Sequence, residues 1–201
     1  MSTQRKVNFA GAVGKLVGIL QLPDKVPLGV AVVAHPLPIM GGTMDNKVVT
    51  TLAKAFLEMG YATLRFNFRG VGESAGSYDE GKGETLDAIA AANFMRSEFP
   101  DLPLLLAGFS FGGYVQALAA DKIHPQRLVL VAPAVGRFEM PEVPADTLLI
   151  HGDIDEVVEL HELLEWARPQ HLPVIVLTGA EHFFHGRLMQ LKKIVIQQLA
   201  R

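Results

Sequence analysis

The sequence predicts an α/β fold: a mostly parallel central sheet of about eight strands with helices packed on both faces. Three observations carry this. Short apolar runs recur along the chain, each closed by Gly, Pro or Asp. Most of them are apolar throughout rather than alternating, as strands covered on both faces are. Helical patterns separate them, and an alternation of strand and helix implies βαβ units with right-handed crossovers.

In chain order, residues 7–9 and 16–22 flank Gly11 and Gly14 and read as an antiparallel hairpin at one edge of the sheet. The run LGVAVVA at 28–34 is the first strand of the βαβ series. A helix follows over 46–59, with Val48, Val49, Leu52, Ala55, Phe56 and Met59 on one face and Gly60 as its stop. Asp45, Asn46 and Lys47 form its polar first turn. The strand ATLRFN at 62–67 precedes a helix over 84–99 that carries Leu86, Ile89, Ala90 and Phe94 and ends before Pro100. The strand PLLLAGF at 103–109 leads into a helix over 112–122. Strands at 127–132, 147–151 and 173–178 complete the sheet, with helices over 160–167 and 187–200. No repeat, low-complexity tract or linker interrupts the pattern, so a single domain is expected over 1–201.

Composition narrows the function. The chain has 201 residues, a net charge of −3 and no cysteine. The missing cysteines remove disulfide frameworks, thiolate metal sites and a thiol nucleophile, and they fit a reducing compartment. With 49% hydrophobic and 19% charged residues, the chain is a globule rather than a disordered segment. Its balanced charge offers no basic footprint for nucleic acid. Its longest apolar run, at 29–34, is far short of the roughly 20 residues of a membrane helix. A cytoplasmic protein is expected, acting on a small molecule, without nucleic-acid or membrane partners and without a cofactor; nothing indicates its oligomeric state.

In open α/β sheets ligands bind beyond the carboxyl ends of the strands. The sharpest motif there is Gly108-Phe109-Ser110-Phe111-Gly112, which ends one apolar run and opens a helix. That strand–turn–helix is the context of a nucleophile elbow, where a tight turn projects a serine Oγ above the sheet and side chains at 108 and 112 would collide across it. A glycine-rich turn that merely packs helix on strand is the alternative. A serine hydroxyl needs a base to take its proton and a carboxylate to orient that base. Two later strand ends supply both types: Gly152-Asp153-Ile154-Asp155-Glu156-Val157-Val158, and Gly179-Ala180-Glu181-His182-Phe183-Phe184-His185. Asp153, Asp155 and Glu156 are candidate acids, and His182 and His185 candidate bases. The chain order serine, acid, histidine is that of one hydrolase class and not that of chymotrypsin-like or subtilisin-like proteases.

These segments, with HPLP at 35–38 and FNFRGVGES at 66–74, resemble the α/β-hydrolase superfamily over about residues 28–200. More narrowly, HPLPIMGGTMDNKVV and LRFNFRGVGES resemble small bacterial hydrolases loosely related to dienelactone hydrolase. Dienelactone hydrolases proper use a cysteine nucleophile, so that substrate is not carried over. The resemblance implies Ser110 as nucleophile, Asp155 as orienting acid and His182 as base. It implies an oxyanion hole from the N–H groups of Phe111 and, between two prolines that have none, Leu37. For His35 it suggests a ring hydrogen-bonded under that loop, and for Arg69 a tie between loops. Residues 133–146 leave no room for the helical cap that many members insert there. An open apolar site is therefore expected, bounded by Leu37, Ile39, Met40, Phe111, Val135, Phe138, Phe183 and Phe184 and suited to uncharged short acyl or aryl esters. Thioester hydrolysis or acyl transfer would use the same three residues, and an inactive binding protein on this fold is the alternative of a different class.

Overall fold

The computed structural model describes residues 3–200. Its elements in chain order are β1 (Thr3–Gly11), β2 (Gly14–Leu22), β3 (Gly29–Ala34), α1 (Lys47–Glu58), β4 (Tyr61–Asn67), α2 (Lys82–Glu98), β5 (Leu104–Phe109), α3 (Phe111–Ile123), β6 (Arg127–Val131), β7 (Leu148–Gly152), α4 (Leu160–Ala167), β8 (Val174–Leu177) and α5 (Leu188–Leu199). The strands form one eight-stranded sheet in the order β1-β2-β4-β3-β5-β6-β7-β8. The hairpin β1–β2 joins antiparallel to β4, and the six strands from β4 to β8 run parallel. Among the described residues no helix is long and apolar enough to cross a membrane.

The all-apolar strands are apolar because both of their faces are covered. In β3, Val30, Val32 and Ala34 join one core with residues of α2 and α3, while Ala31 and Val33 join a second core with α1 and α5. Each fully buried Val, Leu or Phe in these cores contributes roughly 1.5–3 kcal/mol. Helix α1 buries the face expected of it, from Val48 to Phe56, and Asn46 caps it by accepting the Val48 N–H at 2.8 Å.

Two elements differ from the sequence expectation. Strand β1 extends well beyond residues 7–9, with Thr3 opposite Leu22 and Gly11 opposite Gly14. Only Val7 and Phe9 of it are buried, so a polar edge strand held by backbone pairing leaves little apolar signal. Helix α2 buries Glu84, Asp87, Ala88, Ala91, Ala92 and Met95, whereas Leu86 on its other side is exposed. The cause is a buried ion pair. The Asp87 carboxylate accepts from Arg69 Nε at 3.0 Å, from Arg69 Nη2 at 2.8 Å and from the Arg69 backbone N–H at 2.9 Å. Alanines beside it let the helix approach the sheet closely.

The connections from β3 and β5 leave toward opposite sides of the sheet, one to β4 and the other to β6. Such a reversal opens a crevice at the carboxyl ends of the two strands. The loop after Ala34 and the turn after Phe109 face each other across it.

Candidate active site

Ser110 occupies the turn between β5 and α3 with φ 55° and ψ −121°, a backbone conformation that L-residues rarely adopt. Hydrogen bonds over-determine it. Its N–H donates to the Val131 carbonyl at 3.0 Å, and its carbonyl accepts from Gly113 N–H at 2.9 Å and Ala134 N–H at 3.2 Å. The flanking glycines are needed for two different reasons. A Cβ on Gly108 would lie 2.6 Å from Gly113 N, a collision across the turn as expected. A Cβ on Gly112 would instead meet the end of β3, 2.6 Å from the His35 carbonyl oxygen, so this glycine lets the turn pack against the neighbouring loop.

The three candidate side chains form one hydrogen-bonded line, all buried, with Ser110 8% exposed. His182 Nδ1 lies 2.7 Å from Asp155 Oδ2 and its Nε2 lies 3.1 Å from Ser110 Oγ. A carboxylate can only accept, so Nδ1 carries the proton and the bare Nε2 faces the serine hydroxyl. The other oxygen of Asp155 accepts from the N–H groups of Val157 and Val158, both at 2.9 Å. Burial alone would push the Asp155 carboxyl up. The hydrogen bond from His182 and those from Val158 and Val157 together outweigh it and hold the group below the usual carboxylate range. Phe109 and Phe183 enclose the His182 ring, with centroids 4.9 and 5.1 Å away.

The remaining acids and bases have other partners. Asp153 accepts the Gly179 N–H and ties the ends of β7 and β8. Glu156 is exposed, and His185 is an exposed ring paired with Glu181 at 2.9 Å. His151 lies buried behind Asp155 with Nε2 2.9 Å from the Val158 carbonyl, and burial lowers its pKa.

The N–H groups of Phe111, at the first position of α3, and of Leu37 have no hydrogen-bond acceptor among the described residues. The Leu37 N–H is aimed by its neighbours. The Pro36 carbonyl accepts from His35 Nδ1 at 2.7 Å, and His35 Nε2 accepts the Phe68 N–H at 3.1 Å. The peptide is trans, so its N–H points opposite to that engaged carbonyl. His35 is fully buried, and burial lowers its pKa to about 4. Among the described residues no three His, Asp or Glu side chains gather into a metal site.

Beside Ser110 and His182 lies a cavity of about 270 Å³ whose walls include Leu37, Met40, Val157 and Phe183. The expected rim is corrected in part. Met40 and Phe183 line the cavity; Ile39, Val135 and Phe138 do not. Ile39 is exposed on a short 3₁₀ turn, Pro38–Met40, that presents its neighbour Met40 instead. Val135 packs inward with Val158 and Leu163, and Phe138 stacks on Tyr114 at 4.8 Å. The rings of Phe111 and Phe184 are likewise in the core, so Phe111 offers the site its backbone only. Sequence reasoning missed Asn46, Arg137 and Val157 in the lining. Arg137 stands in the loop after β6, where its place beyond a strand end is the one sequence signal it carries.

A family model described as serine aminopeptidase, S33, matches residues 37–145. The Xanthomonas campestris protein XC6422, described as an α/β serine hydrolase without lid, is 40% identical with a TM-score of 0.95, over 98% of this chain and 94% of that one. An α/β serine hydrolase homologue from Coxiella burnetii is 39% identical with a TM-score of 0.88, over 97% of each chain. The uncharacterized protein RP471 of Rickettsia prowazekii is 28% identical over 94% of this chain and 86% of its own length.

Proposed function

Because this chain belongs to the α/β-hydrolase superfamily, in the serine aminopeptidase S33 family and in the lidless form, we propose that it hydrolyses small carboxylic esters through an acyl-enzyme on Ser110. The observation that carries the reading is the continuous line Asp155–His182–Ser110, ending beside two N–H groups without protein acceptors.

In this mechanism His182 Nε2 takes the hydroxyl proton as Ser110 Oγ bonds to the ester carbonyl carbon. The carbonyl π electrons move onto its oxygen, and the Phe111 and Leu37 N–H groups donate to that oxyanion. Asp155 stabilises the imidazolium, because its carboxylate already holds Nδ1–H. The tetrahedral species then collapses, the C–O bond to the alcohol breaks, and Nε2–H protonates the leaving oxygen. Water repeats the sequence on the acyl-enzyme: His182 accepts its proton, the hydroxyl adds to the carbonyl, and Ser110 leaves with the proton returned. The carboxylic acid is the second product. No step calls on a cofactor.

A cavity of about 270 Å³ suits a short acyl or aryl group. A fluorophosphonate probe is expected to label the wild type and leave Ser110→Ala unlabelled, and a chromogenic short-chain ester to be turned over by the first and not the second. Equal labelling of both proteins would remove Ser110 from the mechanism.

A further inference from the structure

We propose that the site prefers esters that carry an anionic group, and that Arg137 is the residue that recognises it. The inference rests on the ester-hydrolase reading and names its substrate class.

Arg137 lines the same cavity as Ser110 and His182, and no Asp or Glu side chain shares that lining. Five other arginines of the fold are neutralised locally. Arg5, Arg65, Arg69, Arg127 and Arg168 each meet a carboxylate oxygen at 2.6–2.9 Å. Arg137 forms no such pair among the described residues, and its side chain is exposed. Its backbone is nonetheless fixed beside the elbow. Gly136 before it turns through φ 73°, and Phe138 after it is anchored against Tyr114 and Phe111, with ring centroids 4.8 and 5.3 Å away. An arginine on a fixed backbone thus lines a cavity whose other side chains, apart from Asn46, Ser110 and His182, are apolar.

A guanidinium matches a carboxylate bidentately, and the pair strengthens where apolar walls thin the water around it. An uncharged ester fills the Leu37, Met40, Val157 and Phe183 walls but leaves that cation to solvent. An ester with a carboxylate at the end of a short chain uses both. Glu162 packs its carboxylate against Gly136, and Glu139 follows in the same loop, yet among the described residues neither makes an ion pair with Arg137. Tyr78, whose phenol feels the Arg137 charge, keeps its proton at neutral pH, its pKa raised further by burial and by Glu84 and Glu80, so it offers no counter-ion.

The test compares matched esters in the wild type and Arg137→Gln, with Ser110→Ala supplying the uncatalysed background. The monoester of glutaric acid with 4-nitrophenol is set against 4-nitrophenyl valerate, which replaces the carboxylate by a methyl group. 4-Acetoxybenzoate is set against its methyl ester, which moves the anion to the alcohol side. In one of the two pairs Arg137→Gln is expected to lower the anionic-to-neutral ratio of kcat/KM by about tenfold, and the responding pair locates the anion. High salt should compress the wild-type ratio and leave that of the variant in place. An unchanged ratio in both pairs overturns the proposal. Absence of turnover on all four esters overturns the ester-hydrolase reading instead. Calorimetric binding of monomethyl glutarate and methyl valerate, with and without Arg137→Gln, then still decides on the anion: equal affinities in both proteins refute the role of Arg137.

Discussion

Acidification from pH 7.5 to 5.0 is expected to weaken the fold by about 2 kcal/mol through His35 alone. The ring is buried and hydrogen-bonded in its neutral form, donating to the Pro36 carbonyl and accepting from the Phe68 N–H. Burial outweighs the opposing Pro36 hydrogen bond and lowers its pKa from 6.5 to about 4. In the unfolded chain the ring protonates below 6.5, so between 6.5 and 4 the unfolded state binds more protons and stability falls as pH falls. Each unit below 6.5 costs about 1.4 kcal/mol, which gives about 2 kcal/mol at pH 5 and about 3 kcal/mol once the folded-state pKa is passed. Asp155, whose pKa is lowered from 3.8, loses its contribution only below that value and does not enter this window. His151, also lowered by burial, acts in the same direction as His35, so the comparison is made with a variant. Urea unfolding of the wild type and His35→Gln at the two pH values checks the argument. The glutamine cannot charge, and its loss between pH 7.5 and 5.0 should be smaller by about 2 kcal/mol. Equal losses in both proteins, or an NMR titration of His35 near 6.5, would refute the reasoning.

Gly112→Ala should destabilise the protein by about 3 kcal/mol through overpacking, because the backbone of Ala34 and His35 stands where the Cβ would go. Gly41→Ala, with φ 80° and open space around it, should cost only about 1–2 kcal/mol from backbone strain; thermal unfolding of both separates the two causes. Asp155→Asn should keep the fold, seen by circular dichroism, and lower kcat by about 10³- to 10⁴-fold with little change in KM. The reason is positional: the Val157 and Val158 N–H groups require an oxygen at one end of the amide. The NH₂ then faces Nδ1 and forces the proton onto Nε2, which can no longer accept from Ser110.

Much of the fold was legible because both faces of β3, β5 and β6 are buried, which writes the strands as unbroken apolar runs. The elbow was legible because two glycines and a serine at fixed spacing have few other uses between a strand and a helix. The polar edge strand was not, since its pairing lies in the backbone and only Val7 and Phe9 carry side-chain signal. Helix α2 was legible in part: Ile89, Ala90 and Phe94 pack against the core, but Leu86 is exposed and the most buried face carries Asp87, whose burial depends on a partner 18 residues away. The cavity walls were the least legible. Side-chain direction on a short turn decides whether Ile39 or Met40 faces the site, and no periodicity reports it. Arg137 was passed over because an isolated cation in a loop reads as surface until its neighbours are known.

The buried pair of Arg69 and Asp87 constrains how this sequence can drift. Exchanging the two charges restores opposite signs at both places but not the bond from the backbone N–H of residue 69, which needs an acceptor on the helix whatever side chain residue 69 bears. An arginine at 87 would set a donor against that donor. The pair is therefore directional, and substitution at either position is compensated only by routes that keep an acceptor at 87. A loop that shapes the carboxyl end of β4 is in this way tied to the inward face of a helix that otherwise buries Glu84, three alanines and Met95.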